Sequence, residues 1–222
     1  MRLYGRRIEI EDDIAAEIGD TPLAWLDSFT DNLAGTVESF SPANSVKDRI
    51  GAAMLDCAER MCHLDDDPVV EATSGNTGIG LAMACAARGY DLVFTMPKSV
   101  SEERRALLTA LGAEVVLTPA DGGMDRAIQA ADAIAEERDG VVASQFENIA
   151  NPEAHRSTTG QGIWDDTDRE VNVFVAGVGT GVLSPVSQST SKKNSALTST
   201  PWPSNTGAPS RPLGNSVEKR GP

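Results

Sequence analysis

Residues 67–96 read DPVVEATSGNTGIGLAMACAARGYDLVFTM, and this stretch decides the fold. Asp67-Pro-Val-Val-Glu71 is a short, mostly apolar strand. From Asn76 to Arg88 small and apolar residues recur at helical spacing, and Gly89 supplies the stop. Asp91-Leu-Val-Phe-Thr-Met96 is a second strand. A strand, a helix and a strand within thirty residues make a right-handed βαβ unit on a parallel sheet.

The same alternation continues outward. Ser101-Glu-Glu-Arg104 opens a helix with a serine cap and acids in its first turn, and that helix ends near Leu111-Gly112. Glu114 to Thr118 is a strand, Asp125 to Glu137 an alanine-rich helix, and Val141-Val-Ala143 and Val171 to Val175 are further strands. The class is α/β, a parallel sheet with flanking helices. Beyond Gly181 the pattern stops. Residues 182–222 hold nine Ser and six Pro with no sustained period. Such a segment buries too little apolar surface to offset its ordering entropy, so disorder is expected there.

Charge narrows the function classes. The chain of 222 residues carries a net charge of −14. Residues 1–181 contain 32 acidic against 14 basic residues, whereas residues 182–222 contain one against five. A strongly negative body repels nucleic acid and anionic lipid, so neither is an expected partner. Only Lys47 and Lys98 represent lysine in that body. Many carboxylates with few lysines suit concentrated salt, and a halophilic source is expected. No apolar run approaches the roughly 18 residues of a membrane span, and no apolar segment follows the basic N-terminal residues, so the expected location is cytoplasmic. Cys57, Cys62 and Cys85 form no disulfide framework, and Cys62-His63 fits no common zinc spacing; no metal is expected.

Four segments carry candidate chemistry. In Ser41-Pro-Ala-Asn-Ser-Val-Lys47-Asp-Arg-Ile50 a loop leads into an apolar-periodic stretch, which puts Lys47 in the first turn of a helix. The positive end of the dipole disfavours the ammonium form there and lowers its pKa, as Schiff-base chemistry requires. Taken alone, a lysine here also reads as a solvated surface cation. Glu71-Ala-Thr73-Ser-Gly-Asn-Thr-Gly-Ile-Gly80 turns from a strand into a helix N-terminus, where N–H groups and hydroxyls suit a carboxylate or phosphate. It lacks the G-x-G-x-x-G dinucleotide fingerprint, and by itself it is a generic strand-turn-helix connection. Ser144-Gln145-Phe146-Glu-Asn148 and Asn151-Pro-Glu-Ala-His155 follow a strand, where α/β proteins place ligand contacts; a capped loop explains them equally well. Ala176-Gly-Val-Gly179-Thr180-Gly181 again follows a strand, and its glycines permit close approach to a phosphate.

Together these segments resemble, in order and separation, the cysteine synthase family of fold-type-II pyridoxal-phosphate enzymes; Ile18-Gly-Asp-Thr-Pro-Leu23 resembles its N-terminal signature. The resemblance covers residues 18–181. It implies that Lys47 holds pyridoxal 5'-phosphate covalently and, once released, takes the substrate α-proton. Asn76 would bond the cofactor's ring hydroxyl. Thr73, Ser74, Asn76 and Thr77, with Gln145, would contact the amino-acid substrate, and Gly179, Thr180 and Gly181 would wrap the cofactor phosphate. The implied reaction is β-replacement: an activated serine such as O-acetylserine loses its leaving group, and sulfide adds to give cysteine. Residues 1–150 would be the N-terminal segment and smaller α/β domain bearing the lysine, residues 151–181 the start of the second domain, and residues 182–222 an unrelated tail. Alternatives are β-replacement of the cystathionine β-synthase type and a catalytically inactive remnant. The resemblance also implies a homodimer, which the changed C-terminal part puts in question.

Ser41 and Asn44 stand where the family usually has Asn and Gly. A larger departure follows Gly181, where Val-Leu-Ser-Pro-Val186 replaces Gly-Thr-(Ile/Leu)-Thr-Gly-Val. Joining the last base of each codon to the first two of the next gives NGT, NCT, NTC, NCC, NGT and NTC, taking CTN for leucine and TCN for serine. These can encode the missing motif. A single-base deletion just after codon 181, in the gene or in its reported sequence, is therefore expected. The second domain would then be truncated, the phosphate cradle incomplete, and cofactor binding and turnover weak.

Overall fold

A computed structural model describes residues 13–62, 64 and 67–177, together with the backbone of 196–200. A small antiparallel pair comes first, β1 (Leu23–Trp25) against β2 (Ala34–Thr36). Then follow α1 (Lys47–Cys62), β3 (Val69–Ala72), α2 (Asn76–Arg88), β4 (Leu92–Pro97), α3 (Glu102–Ala110) and β5 (Glu114–Thr118). Next come α4 (Gly123–Glu137), β6 (Val141–Val142), α5 (Ala150–Ala154), α6 (Gly160–Asp166), β7 (Val173–Gly177) and β8 (Ala196–Thr200). The expected helix over 76–88 has those bounds, and Gly89 ends it in the left-handed region at φ 80°. Ser101 stands at the N-cap of α3 but makes no side-chain capping bond to the helix.

The main sheet has the order β5-β4-β3-β6, and every pair in it is parallel. The chain steps outward from β3 through β4 to β5, then returns across β3 to place β6 on its far side. The α/β expectation is met. Period two divides the strands between two layers. Val69, Leu92, Phe94 and Met96 share a core with Ile50, Met54 and Leu55 of α1, Leu81 and Cys85 of α2, and Leu108 of α3. Val70, Ala72 and Val93 face Ala127, Ala131 and Ala135 of α4.

Two differences from expectation concern the C-terminal part. Residues 150–166 form one continuous helical run in which α5 and α6 are joined by a π-helical turn, His155–Thr159. The expected boundary at 150/151 therefore falls inside a helix, one that packs on α1. The run is rich in Ser, Thr and Pro152 and reads as loop; tertiary packing overrides that weak local preference. The tail was expected to lack regular structure, yet Ala196–Thr200 pair with β7 in parallel, from Val173↔Ala196 to Gly177↔Thr200. Leu-Thr-Ser-Thr suits an extended backbone, and the pairing covers an edge of β7 that would otherwise be bare.

Candidate active site

The reversal of strand order lies between β3 and β6. Between the carboxyl ends of these two adjacent strands lies the crevice where α/β sheets bind ligands. Thr73–Gly75 leave β3 into this crevice and Ala143–Gln145 leave β6. The turn after β3 is shaped by Thr73, whose Oγ1 accepts from the Gly75 amide at 3.3 Å. A Cβ on Gly78 would stand 2.7 Å from the Thr73 methyl, so glycine is needed there for the threonine to fold back. Gly75 caps α2 without any side-chain bond, and no acid stands in the first turn. These N–H groups and the positive end of the helix favour an anion. Asn76 is exposed, Ser74 half-buried, and Thr73 and Thr77 buried. Arg104 of α3 donates to the Ser74 carbonyl from outside the crevice.

Lys47 reaches the same crevice by a close crossing of helices. A Cβ on Gly80 of α2 would lie 2.8 Å from the Lys47 carbonyl oxygen and 2.9 Å from Asp48 Cα, so the first turn of α1 rests directly on α2. Ser45 Oγ accepts from the Lys47 amide at 3.1 Å, and buried Asp48 accepts from the Ala43 amide at 2.6 Å and the Ser45 hydroxyl at 3.2 Å. Asn44 adopts φ 70° in the loop before α1. That conformation explains why asparagine is tolerated at a position where glycine is usual. Lys47 is half-buried, and loss of solvent lowers its pKa. The direction is the expected one, and burial is its cause.

Gln145 is buried on the β6 side, its side-chain amide donating to the Ala72 carbonyl at 3.3 Å. Asn151 holds the Gln145 carbonyl at 2.7 Å. Two neighbours went unassigned from sequence. Glu71, the last-but-one residue of β3, is 2% exposed, and burial raises its carboxyl to about 7. His155 is fully buried in the π turn, with Nδ1 3.0 Å from Thr159 Oγ1 and Nε2 without a partner among the described residues. Burial and the positive charges of Lys47 and Arg49 push its pKa down to about 4. The π turn was the available signal, since such turns gather at functional sites. A separate cleft of about 750 Å³ is lined by Thr21, Glu38, Arg49 and Gln161, and among the described residues none of the expected site residues borders it.

The structure thus sets the Lys47 backbone against α2, which begins with Asn76 and Thr77 just after Thr73 and Ser74, and holds the Gln145 side chain on the Ala72 carbonyl at the end of β3; Gly179, Thr180 and Gly181 lie outside the described residues. A partly desolvated amine on a helix packed against α2, whose N-terminus has no side-chain cap, suits a phosphorylated aldehyde that must condense with an amine.

The comparisons agree with that fit. The family model described as pyridoxal-phosphate dependent enzyme matches residues 14–184. A cysteine synthase of Staphylococcus aureus (strain Mu50 / ATCC 700699) is 48% identical over 176 residues, covering 77% of this chain and 57% of that protein. The crystal structure of O-ureido-L-serine synthase superposes with a TM-score of 0.81 at 38% identity, over 86% of this chain and 63% of the other. The cysteine synthase (OASS) from Entamoeba histolytica superposes with a TM-score of 0.77 at 36% identity, over 86% and 60%. The chain spans between half and two thirds of the length of each of these proteins.

Proposed function

The chain belongs to the pyridoxal-phosphate dependent enzymes, and on that premise we propose cysteine synthase-type β-replacement as the chemistry its crevice is built for. The half-buried Lys47 amine at the crossing of α1 and α2 carries the proposal. Its lowered pKa keeps a larger share of the amine neutral, so that it can bond covalently to the cofactor and, when freed, take the proton from the substrate Cα. Thr73, Ser74 and Thr77 at the start of α2 would hold the substrate carboxylate with Gln145, and Asn76 would orient the cofactor ring. Gly179, Thr180 and Gly181 would receive the phosphate. When bound, the cofactor supplies an electron sink for the charge that develops at Cα. Buried Thr73, Thr77 and Gln145 keep water from the carboxylate side.

The substrates proposed are an activated serine and sulfide. Product assays with sulfide against homocysteine separate this reading from β-replacement of the cystathionine β-synthase type. Borohydride reduction of a frame-restored version loaded with pyridoxal 5'-phosphate, followed by peptide mapping, tests the role of Lys47: label on Lys47, absent in Lys47→Ala, supports it, and label on Lys98 or on no residue overturns it. The deletion after codon 181 remains part of the proposal, supported by a family match that ends at residue 184. Resequencing decides it, and an intact downstream frame without family-like sequence sinks it. On this reading the glycine-rich phosphate loop is altered after Gly181, and the 222-residue chain binds cofactor poorly and turns over little. Strong cofactor absorbance with turnover from the purified chain would contradict that. A cytoplasmic, halophilic enzyme fits the acidic body; complete folding in dilute buffer, followed by circular dichroism, argues against the halophilic part. Sedimentation measures whether a homodimer persists.

A further inference from the structure

We propose that Glu71 is a positioning residue: its carboxyl takes over where the β3–β6 ladder ends and fixes the Ser144–Gln145 backbone that carries the Gln145 amide beside the Thr73–Thr77 turn. The inference rests on the reading of Gln145 as a substrate contact.

The ladder pairs Val69 with Val141 and Val70 with Val142, and its last backbone bond runs from the Ala143 amide to the Val70 carbonyl at 2.9 Å. Ser144 then turns the chain away with φ 52°, a left-handed conformation unusual for serine. The Gln145 amide next in line has lost its strand partner. Glu71 Oε1 accepts from it at 3.4 Å, while the Gln145 side chain and carbonyl are fixed at Ala72 and Asn151. One carboxyl therefore closes a three-point hold on Gln145.

The location of that carboxyl is otherwise costly. Strand period places Glu71 on the face of Val69, opposite Phe94 in the β4 register, within an apolar layer. Its Oε2 has no partner among the described residues. A leucine would be less expensive at such a position, because a buried carboxyl with one free oxygen keeps most of its desolvation cost. Among the described residues the influences on its titration are burial, the Ser144 and Gln145 amides and the Gln145 side chain; no charged group from α1, α2, α5 or β4 enters. Burial keeps the carboxyl protonated up to about pH 7, so ionisation at Glu71 is felt first by the Gln145 amide.

Nitrogen-15 NMR of the full chain tests this without cofactor. The Gln145 amide of the unaltered protein should titrate with a midpoint near 7. Glu71→Gln should keep the amide protected and abolish the titration. Glu71→Leu should raise its hydrogen exchange by about tenfold or more, the loss of one buried acceptor. An unaltered chain whose Gln145 amide does not titrate, or a Glu71→Gln chain whose amide still does, overturns the proposal. The substrate reading has a separate arm, with L-serine as probe. If Gln145→Ala leaves the serine-induced shifts in place, Gln145 is no carboxylate contact, although the Glu71 hold on its backbone stands.

Discussion

Replacing Gly51 by alanine tests the helix crossing on which the lysine depends. A Cβ built at Gly51 would lie 2.5 Å from both the Gly80 carbonyl carbon and the Leu81 nitrogen, and 2.9 Å from the Gly80 oxygen. That is roughly an ångström short of ordinary contact, and every obstructing atom is backbone, so no rotamer change relieves it. Two effects compete. In an open helix interior alanine is better than glycine by about 1 kcal/mol. Overpacking against rigid neighbours costs about 1–3 kcal/mol, and here the upper end applies. The net expectation is a loss of about 1–2 kcal/mol, read from the urea midpoint at unchanged m-value. The separation also moves the first turn of α1, because the Lys47 carbonyl is what Gly80 touches. A midpoint that rises instead would return the bare helix-propensity gain and show that α1 and α2 are not in backbone contact, removing the basis for placing Lys47 over the α2 N-terminus.

Three further outcomes follow from the charges. Glu71 titrates at about 7 when folded against an ordinary 4.5, so the native chain retains a proton that the unfolded chain releases. Stability from this group is complete below pH 4.5 and declines by about 3 kcal/mol as pH rises to 7; the difference in urea midpoint between Glu71→Gln and the unaltered chain should change by that amount over this window. His155 has the opposite sign: its folded value of about 4 lies below the ordinary 6.5, so its contribution is complete above pH 6.5 and falls by about 3 kcal/mol toward pH 4. His155→Gln should abolish that acid-side loss, and a ring proton titrating near 6.5 in the folded chain would refute it. Arg88 pairs with Asp13 at 3.3 Å, Asp56 at 2.6 Å and Glu59 at 3.1 Å, tying the N-terminal segment and α1 to α2. Arg88→Ala should cost about 1–2 kcal/mol at low ionic strength and less in molar salt, and equal losses at both would mean that packing rather than charge is at stake.

The parts of the fold that were legible are those where a local signal agrees with tertiary need. Asn76 to Arg88 is apolar and small enough to lie between sheet and α1, and Gly89 is required by its own φ of 80°. Glu114 to Thr118 was equally plain, being branched and bounded by turns. The β1–β2 pair escaped notice because three-residue strands such as Ala-Gly-Thr carry no period. The helical run from Ala150 escaped because Pro152 and a Ser-Thr-Thr sequence favour loop until α1 covers them. At the site, Lys47 and the Thr73–Thr77 turn were legible as residue types in a pattern. Glu71 and His155 were not, since a carboxylate inside a strand and a histidine inside a polar stretch acquire meaning only through burial, which no single sequence displays. The same holds for Gly51 and Gly80, 29 positions apart and unremarkable until a Cβ is placed on either.

Burial acts on Glu71 and His155 in opposite senses, and this decides what the unaltered chain will show. Both groups are kept neutral, one by holding a proton and the other by refusing it. Between pH 4.5 and 6.5 their windows overlap, with slopes of about 1.4 kcal/mol per pH unit in opposite directions, so their combined contribution is nearly flat there. A flat profile by itself would suggest that neither group matters. Glu71→Gln should uncover the rising limb of His155, His155→Gln the falling limb of Glu71, and the double variant should return to the flat profile. Two flat single-variant profiles would mean that water reaches both groups, and that the layer between the sheet and α1 is not the dry interior on which the lowered Lys47 pKa also depends.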